Sequence, residues 1–220
     1  MDLYKDRGYV VVPDVLEPLD VQLLYSLAST ISFPGLQEVP VEQIENHELH
    51  FHLTNIVNSC VMNRLSEKLS RNCFVPESWD QVLYIRKKKL NEFTPVHCDA
   101  YNVLVERRHV DFSQDVFSFN DLYSYATFWI PLTAKESHSS WLQIDTGSHL
   151  LPDIQLNNDC IQPSAYSWET RKKSTISVKA NPGDCVVFNI LVQHKGSLHR
   201  SKQPRFSIDG RFMMSCDTCK

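Results

Sequence analysis

His97 and Asp99 stand two positions apart in the segment PVHCDAYN, residues 95–102. On an extended strand alternate side chains share a face, so one short stretch can aim an imidazole and a carboxylate at the same point. Such a pair needs one further ligand to clamp a metal ion. Two histidines and a carboxylate on one side of the ion leave the other positions open for dioxygen and a chelating cosubstrate, the arrangement of non-haem iron(II) centres. A lone His-x-Asp is common by chance. Its weight comes from residues 181–209, NPGDCVVFNILVQHKGSLHRSKQPRFSID, where an apolar strand leads to His194 and Arg205 follows on the next β-rich run. A guanidinium holds a carboxylate through two parallel hydrogen bonds, so Arg205 suits the far end of a dicarboxylate. A buried arginine on a core strand without such a partner would be costly.

The elements that must position these groups are mostly strands. From about residue 80, DQVLYIRKK, YATFWIPLTA, SWLQIDTGSH, STISVKANPGDCVVFNI and RFSIDGRFMM are β-rich runs separated by Asn, Asp, Gly and Pro. Strands of similar length without interleaved helices argue for an antiparallel sandwich or barrel. Pro182-Gly183-Asp184 reads as a turn. The first third reads as helices with strand pieces. GYVVVPDVL (8–16) is a short buried strand, Asp20 is expected to cap the helix that follows, and a second helix is expected near 60–72 with Val61, Leu65 and Leu69 on one face. Residues 102–124, polar with scattered aromatics, are expected to form a long loop or lid.

Composition bounds the function classes. The 220 residues carry a net charge of −4, 42% hydrophobic and 22% charged residues, ordinary values for a globular chain with a sizeable core. No excess of basic residues points to nucleic acid. The run Arg86–Lys89 is short and reads as a solvated face or strand end. No stretch approaches the roughly 18 apolar residues that would span a bilayer. The opening lacks a signal-peptide pattern, so a cytoplasmic location and seven reduced cysteines are expected, with Cys216 and Cys219 a lone CxxC at a frayed terminus. One domain is expected over residues 1–220.

At this point the chain resembles the phytanoyl-CoA dioxygenase family of iron(II)/2-oxoglutarate oxygenases. The resemblance rests on His97-Cys98-Asp99, on His194 followed by Gly196, Ser197 and Ser201, on Arg205, on the opening DRGYVVVPDVL, on FWIPLTAKESHSSWLQIDTGSHL (128–150) and on NPGDCVVF. It implies a double-stranded β-helix (jelly-roll, cupin-like) core over about 80–215, mainly β with flanking α and helical support over about 1–75. It implies iron(II) on His97, Asp99 and His194, 2-oxoglutarate as cosubstrate with its C5 carboxylate on Arg205, and O2 as the oxidant. Trp129 falls where the family places a tryptophan near the cosubstrate, and Ser207, on the same strand face as Arg205, could donate to that carboxylate. Tyr84 and Arg86 lie on the strand where the family often adds a cosubstrate contact. The implied reaction converts 2-oxoglutarate to succinate and CO2 while an aliphatic carbon of a small metabolite is hydroxylated. Asp99 stands where halogenating relatives lose the carboxylate, which favours hydroxylation. Two departures are His199, in place of a usual asparagine, and a longer spacing between the His-x-Asp pair and Trp129.

Tyr101, Asn102 and His149 are candidate substrate contacts. His50 and His52 would share a face if HELHFHL (47–53) were a strand, but without a paired carboxylate a pocket or surface role is preferred for them and for His47. Cys98 points away from its neighbours' face and is expected to pack. The sequence leaves open a cupin-like metal enzyme without 2-oxoglutarate, which would have no need of Arg205. It also leaves open a non-catalytic binding domain, against which the intact triad counts. The expected partner is a small molecule, with no nucleic acid and no membrane, and the oligomeric state is unknown.

Overall fold

The computed structural model describes residues 2–33, 38–41, 44, 47–74, 83–99, 125–133, 141–150 and 174–215. In chain order the elements are α1 (Asp2–Arg7), β1 (Tyr9–Val12), α2 (Pro18–Thr30), β2 (Glu38–Pro40), α3 (His47–Asn55), a π-helical turn (Ile56–Val61), α4 (Met62–Leu69) and β3 (Asn72–Phe74). There follow β4 (Tyr84–Lys88), β5 (Thr94–His97), β6 (Tyr125–Pro131), β7 (Leu142–Asp145), β8 (Thr175–Ser177), β9 (Cys185–Asn189), β10 (His194–Gly196) and β11 (Arg205–Ser215).

Among the described residues, seven strands form one antiparallel sheet in the order β1-β9-β6-β11-β4-β2, with β3 on the far end of β11. Four form a second sheet in the order β5-β10-β7-β8. Alternation divides the core in two. Phe128, Ile130, Ile208 and Phe212 point outward into an apolar cluster with Leu24, Leu53, Val61 and Leu65 of the helices. Trp129, Val186 and Phe188 point inward and meet Leu142, Ile144 and Val192 from the smaller sheet's side. Each fully buried Phe or Ile contributes roughly 1.5–3 kcal/mol by leaving water. Two facing antiparallel sheets with helices on one outer side are the mainly-β jelly-roll expected. The N-terminal part does more than support it, since β1, β2 and β3 are strands of the larger sheet.

The predicted Gly-Asp turn is tied down from both sides. Gly183 adopts φ 91°, and a β-carbon there would lie 2.8 Å from Leu16 O, so only glycine fits. Its carbonyl accepts from Val15 and Leu16 N–H, and the Asp184 carboxylate accepts from Asn181 N and Asp14 N at 2.7 and 3.1 Å.

Three local expectations are corrected. Asp20 lies inside the first turn of α2, whose N-cap is Glu17 with no side-chain capping bond. Pro18, with its backbone already set for a helix, starts the element earlier. The second helix is longer than expected: its face of Val61, Leu65 and Leu69 packs as read, but helical backbone begins at His47. His50 and His52 are therefore helical, and residues two apart on a helix do not face each other. The basic run is solvated only in part: Lys89 is exposed, but the rest of the run is not. Lys88 is 3% exposed, and Lys87 Nζ lies 5.4 and 5.5 Å from the Phe33 and Phe206 ring centres. No helix among the described residues is long and apolar enough to cross a membrane.

Candidate active site

His97 ends β5 and His194 begins β10, and the two are directly opposed in the antiparallel register. Their ring centres are 4.2 Å apart. Each ring is oriented by its own backbone: Nδ1 of His97 lies 2.9 Å from Pro95 O, and Nδ1 of His194 lies 3.0 Å from Val192 O. A carbonyl can only accept, so both Nδ1 atoms carry the proton and both Nε2 atoms present a lone pair, as metal ligation requires. Asp99 follows β5, is 1% exposed, and holds Oδ1 at 3.8 Å from His97 Nε2 and 4.0 Å from His194 Nε2. One ligand atom from each of His97, Asp99 and His194 lies within 4.8 Å of the others.

The protonation states suit a cation. Burial, and then the neighbouring His97, lower His194 to about 4, so its imidazole is neutral at ordinary pH. Burial alone would raise the Asp99 carboxyl, but Arg211 and the two histidines hold it well below the usual carboxylate range. The donor set of two imidazoles and one carboxylate fits iron(II).

The same cavity is lined by Arg86, Thr94, Trp129, Gly196, Arg205 and Arg211 as well as the three ligands. Arg205 begins β11 and is buried, with Cζ 5.3 Å from the Trp129 ring centre. Ser207, two residues on, is fully buried, and its Oγ has no hydrogen-bond partner among the described residues. Opposite Arg205 across the sheet is Lys88, whose Nζ donates to Thr94 Oγ1 at 3.0 Å. Burial, then the charges of Arg205 and Arg86, lower that amine to about 7. Gly196 makes room for it, since a β-carbon there would lie 2.2 Å from Lys88 Nζ. Arg205, which lines the cavity, thus has a buried amine opposite it on β4 and an unpartnered hydroxyl two residues along its own strand.

The structure brings His97, Asp99, His194, Arg205, Trp129 and Ser207 into one region. Arg86 lines the cavity, but its Nε and Nη2 are bound to Asp209 at 2.5 and 3.0 Å. Tyr84 presents its ring to Arg86 and Arg211, with Cζ atoms 5.9 and 5.2 Å from its centre. His149 is not brought to the cavity. It is buried with Nε2 2.8 Å from Lys5 O and Nδ1 beneath Gly8. His199 is likewise structural, its Nε2 bonded to Gln203 O at 2.8 Å while its backbone joins Asn91 and Glu92. Tyr101 and Asn102, the loop 102–124, and the Cys216/Cys219 pair lie outside the described residues.

Sequence reasoning passed over Lys88, Thr127, Asp209 and Arg211. The signal was present in β11, where Arg205, Ser207, Asp209 and Arg211 alternate with Phe206, Ile208 and Phe212, so the polar set shares the inward face.

The family model described as phytanoyl-CoA dioxygenase (PhyH) matches residues 4–207. No curated protein sequence matches the chain. Solved structures share its fold. The epimerase SnoN, in complex with Fe3+, alpha ketoglutarate and nogalamycin RO, aligns with TM-score 0.68 at 19% identity over 96% of this chain and 81% of its own. EctD from S. alaskensis, solved with 2-oxoglutarate and 5-hydroxyectoine, aligns with TM-score 0.64 at 13% identity over 96% and 74%. EvdO2 from Micromonospora carbonacea var. aurantiaca, complexed with 2-oxoglutarate, aligns with TM-score 0.57 at 16% identity over 100% and 91%. The core is the double-stranded β-helix of these oxygenases. Iron(II), 2-oxoglutarate and O2 are the set this family uses, and the His97–Asp99–His194 group fits the ion. From the family match and the shared fold together, the chain belongs to the phytanoyl-CoA dioxygenase family.

Proposed function

We propose that this protein is an iron(II)- and 2-oxoglutarate-dependent dioxygenase that hydroxylates an aliphatic carbon of a small metabolite, the whole chain acting as one domain. The observation that carries the reading is the convergence of His97, Asp99 and His194 on a cavity that also holds buried Arg205. A cupin-like metal enzyme without a cosubstrate has no use for that guanidinium.

His97, Asp99 and His194 would hold the ion from one side. Arg205 and Lys88 would bind the distal carboxylate of 2-oxoglutarate, and Ser207 Oγ would donate to the same group. Trp129 backs Arg205 and limits where the guanidinium can move. Bound iron(II) would supply the activation of O2 that couples conversion of 2-oxoglutarate to succinate and CO2 with substrate oxidation. The chain's own work is orientation and exclusion of water: Phe188 packs against His194, ring centres 4.7 Å apart, and Leu142 closes the adjoining wall. Halogenating relatives would replace this carboxylate to make room for halide, so the retained Asp99 supports hydroxylation over halogen transfer. The test is addition of iron(II), ascorbate and 2-oxoglutarate. Succinate in air and, with oxygen excluded, a visible charge-transfer band are expected, and the absence of both would sink the reading.

A further inference from the structure

Both oxygens of the Asp99 carboxylate already accept a hydrogen bond from a strand of the larger sheet. Oδ2 accepts from Thr127 Oγ1 at 2.6 Å. Oδ1, the oxygen nearest both histidine Nε2 atoms, accepts from Arg211 Nη2 at 2.8 Å. Thr127 and Arg211 are directly opposed in the β6–β11 register, so a single rung of the sheet supplies both donors. Behind them, Arg211 Nη1 donates to Asp209 Oδ2 at 3.3 Å, and Arg86 grips Asp209 with two N–H groups. Asp99, Asp209 and Arg211 are each 3% exposed or less. Burying so many charges is expensive unless every one is paired, and a paired network of this kind gains in geometry what it does not gain in stability.

We propose that Thr127 and Arg211 clamp Asp99 so that it offers the metal ion one oxygen only. A free carboxylate can rotate to present both oxygens to a divalent cation. The Thr127 bond holds Oδ2 away from the histidines, and Arg211 occupies one lone pair of Oδ1, leaving the other for the ion. The two-histidine, one-carboxylate set leaves about three positions, of which a chelating keto acid takes about two. A second carboxylate oxygen would take the position O2 needs. Thr127 and Arg211 are therefore positioning residues that act through Asp99, and the inference rests on the ligand assignment proposed above.

Manganese(II) in place of iron(II) makes the clamp measurable, because relaxation of bulk-water protons counts exchangeable waters on that ion. The native protein is expected to hold about three such waters, and about one after 2-oxoglutarate is added. Thr127→Val, which keeps the side-chain shape, and Arg211→Gln are each expected to lose about one water in both states. Thr127→Ser and Arg211→Lys are expected to restore the native count. Native hydration in Thr127→Val overturns the clamp even if Arg211→Gln fails to fold. Failure of the native protein to bind manganese(II) at all overturns the ligand assignment, and the clamp with it.

Discussion

A guanidinium and an amine buried side by side repel each other, and an anion between them removes that cost. Arg205 and Lys88 form such a pair. Replacing Arg205 with Met is expected to weaken 2-oxoglutarate binding by about 1.5–3 kcal/mol, roughly tenfold to a hundredfold, with metal content unchanged. Equilibrium dialysis of both ligands checks this, and equal loss of metal would show that Arg205 is only structural. Lys88 adds a proton-linked effect. Its amine is lowered to about 7 by burial and by Arg205 and Arg86, so near neutral pH it is partly uncharged. A bound dianion favours the charged form and raises that value. Binding should therefore take up protons near pH 7, and affinity should fall as pH rises above about 7. Calorimetry in two buffers of different ionisation enthalpy measures the uptake, which Lys88→Met is expected to abolish. Uptake that persisted in that variant would assign the proton to another group.

At the scale of elements, the site depends on one strand pairing and one alternation. The β5–β10 pairing places the histidines face to face, and the inward face of β11 carries Arg205, Ser207, Asp209 and Arg211. The short β10 strand can serve both purposes only because Gly196 has no side chain where Lys88 Nζ passes. Gly196→Ala is expected to push the amine off Thr94, since Nζ is the movable end of the clash and Thr94 Oγ1 would be only 3.0 Å away. The expected result is loss of proton uptake and a several-fold weaker 2-oxoglutarate affinity, with a shift of only a few degrees in Tm. Gly8 poses a different problem. Its φ is 79°, and a β-carbon there would lie 2.4 Å from Val192 Cγ2 and 2.6 Å from His149 Nδ1. Gly8→Ala is expected to cost about 1–3 kcal/mol of folding stability by denaturant titration, leaving metal affinity per folded molecule unchanged.

A set of ionisable groups, His194 and Asp99 among them, is buried where the two sheets meet, and this has a consequence for acid stability. His194 is lowered from 6.5 to about 4 by burial and by His97. Between those values the unfolded chain binds a proton that the folded chain refuses, so the metal-free protein should lose stability as pH falls from about 6.5 toward about 4. Asp99 extends the loss below about 4, because its folded carboxyl stays ionised under the influence of Arg211 and the histidines while the unfolded one is protonated. Thermal melts across that range check the sign, and a flat profile above pH 5 would contradict the His194 part. Spacing alone determined much of this protein. His97 and Asp99 share a face because they are two apart in an extended segment, His194 follows an apolar strand, and Arg205 and Ser207 share the inward side of the last one. Only the tertiary structure decided which groups answer one another. Arg86 lines the cavity and is gripped by Asp209, Lys88 looked solvated and is buried beside Arg205, and Arg211 meets Asp99 across 112 positions of sequence. Local periodicity sets the face on which a side chain lies. The partner it meets there depends on strand register, which contacts between distant parts of the chain establish.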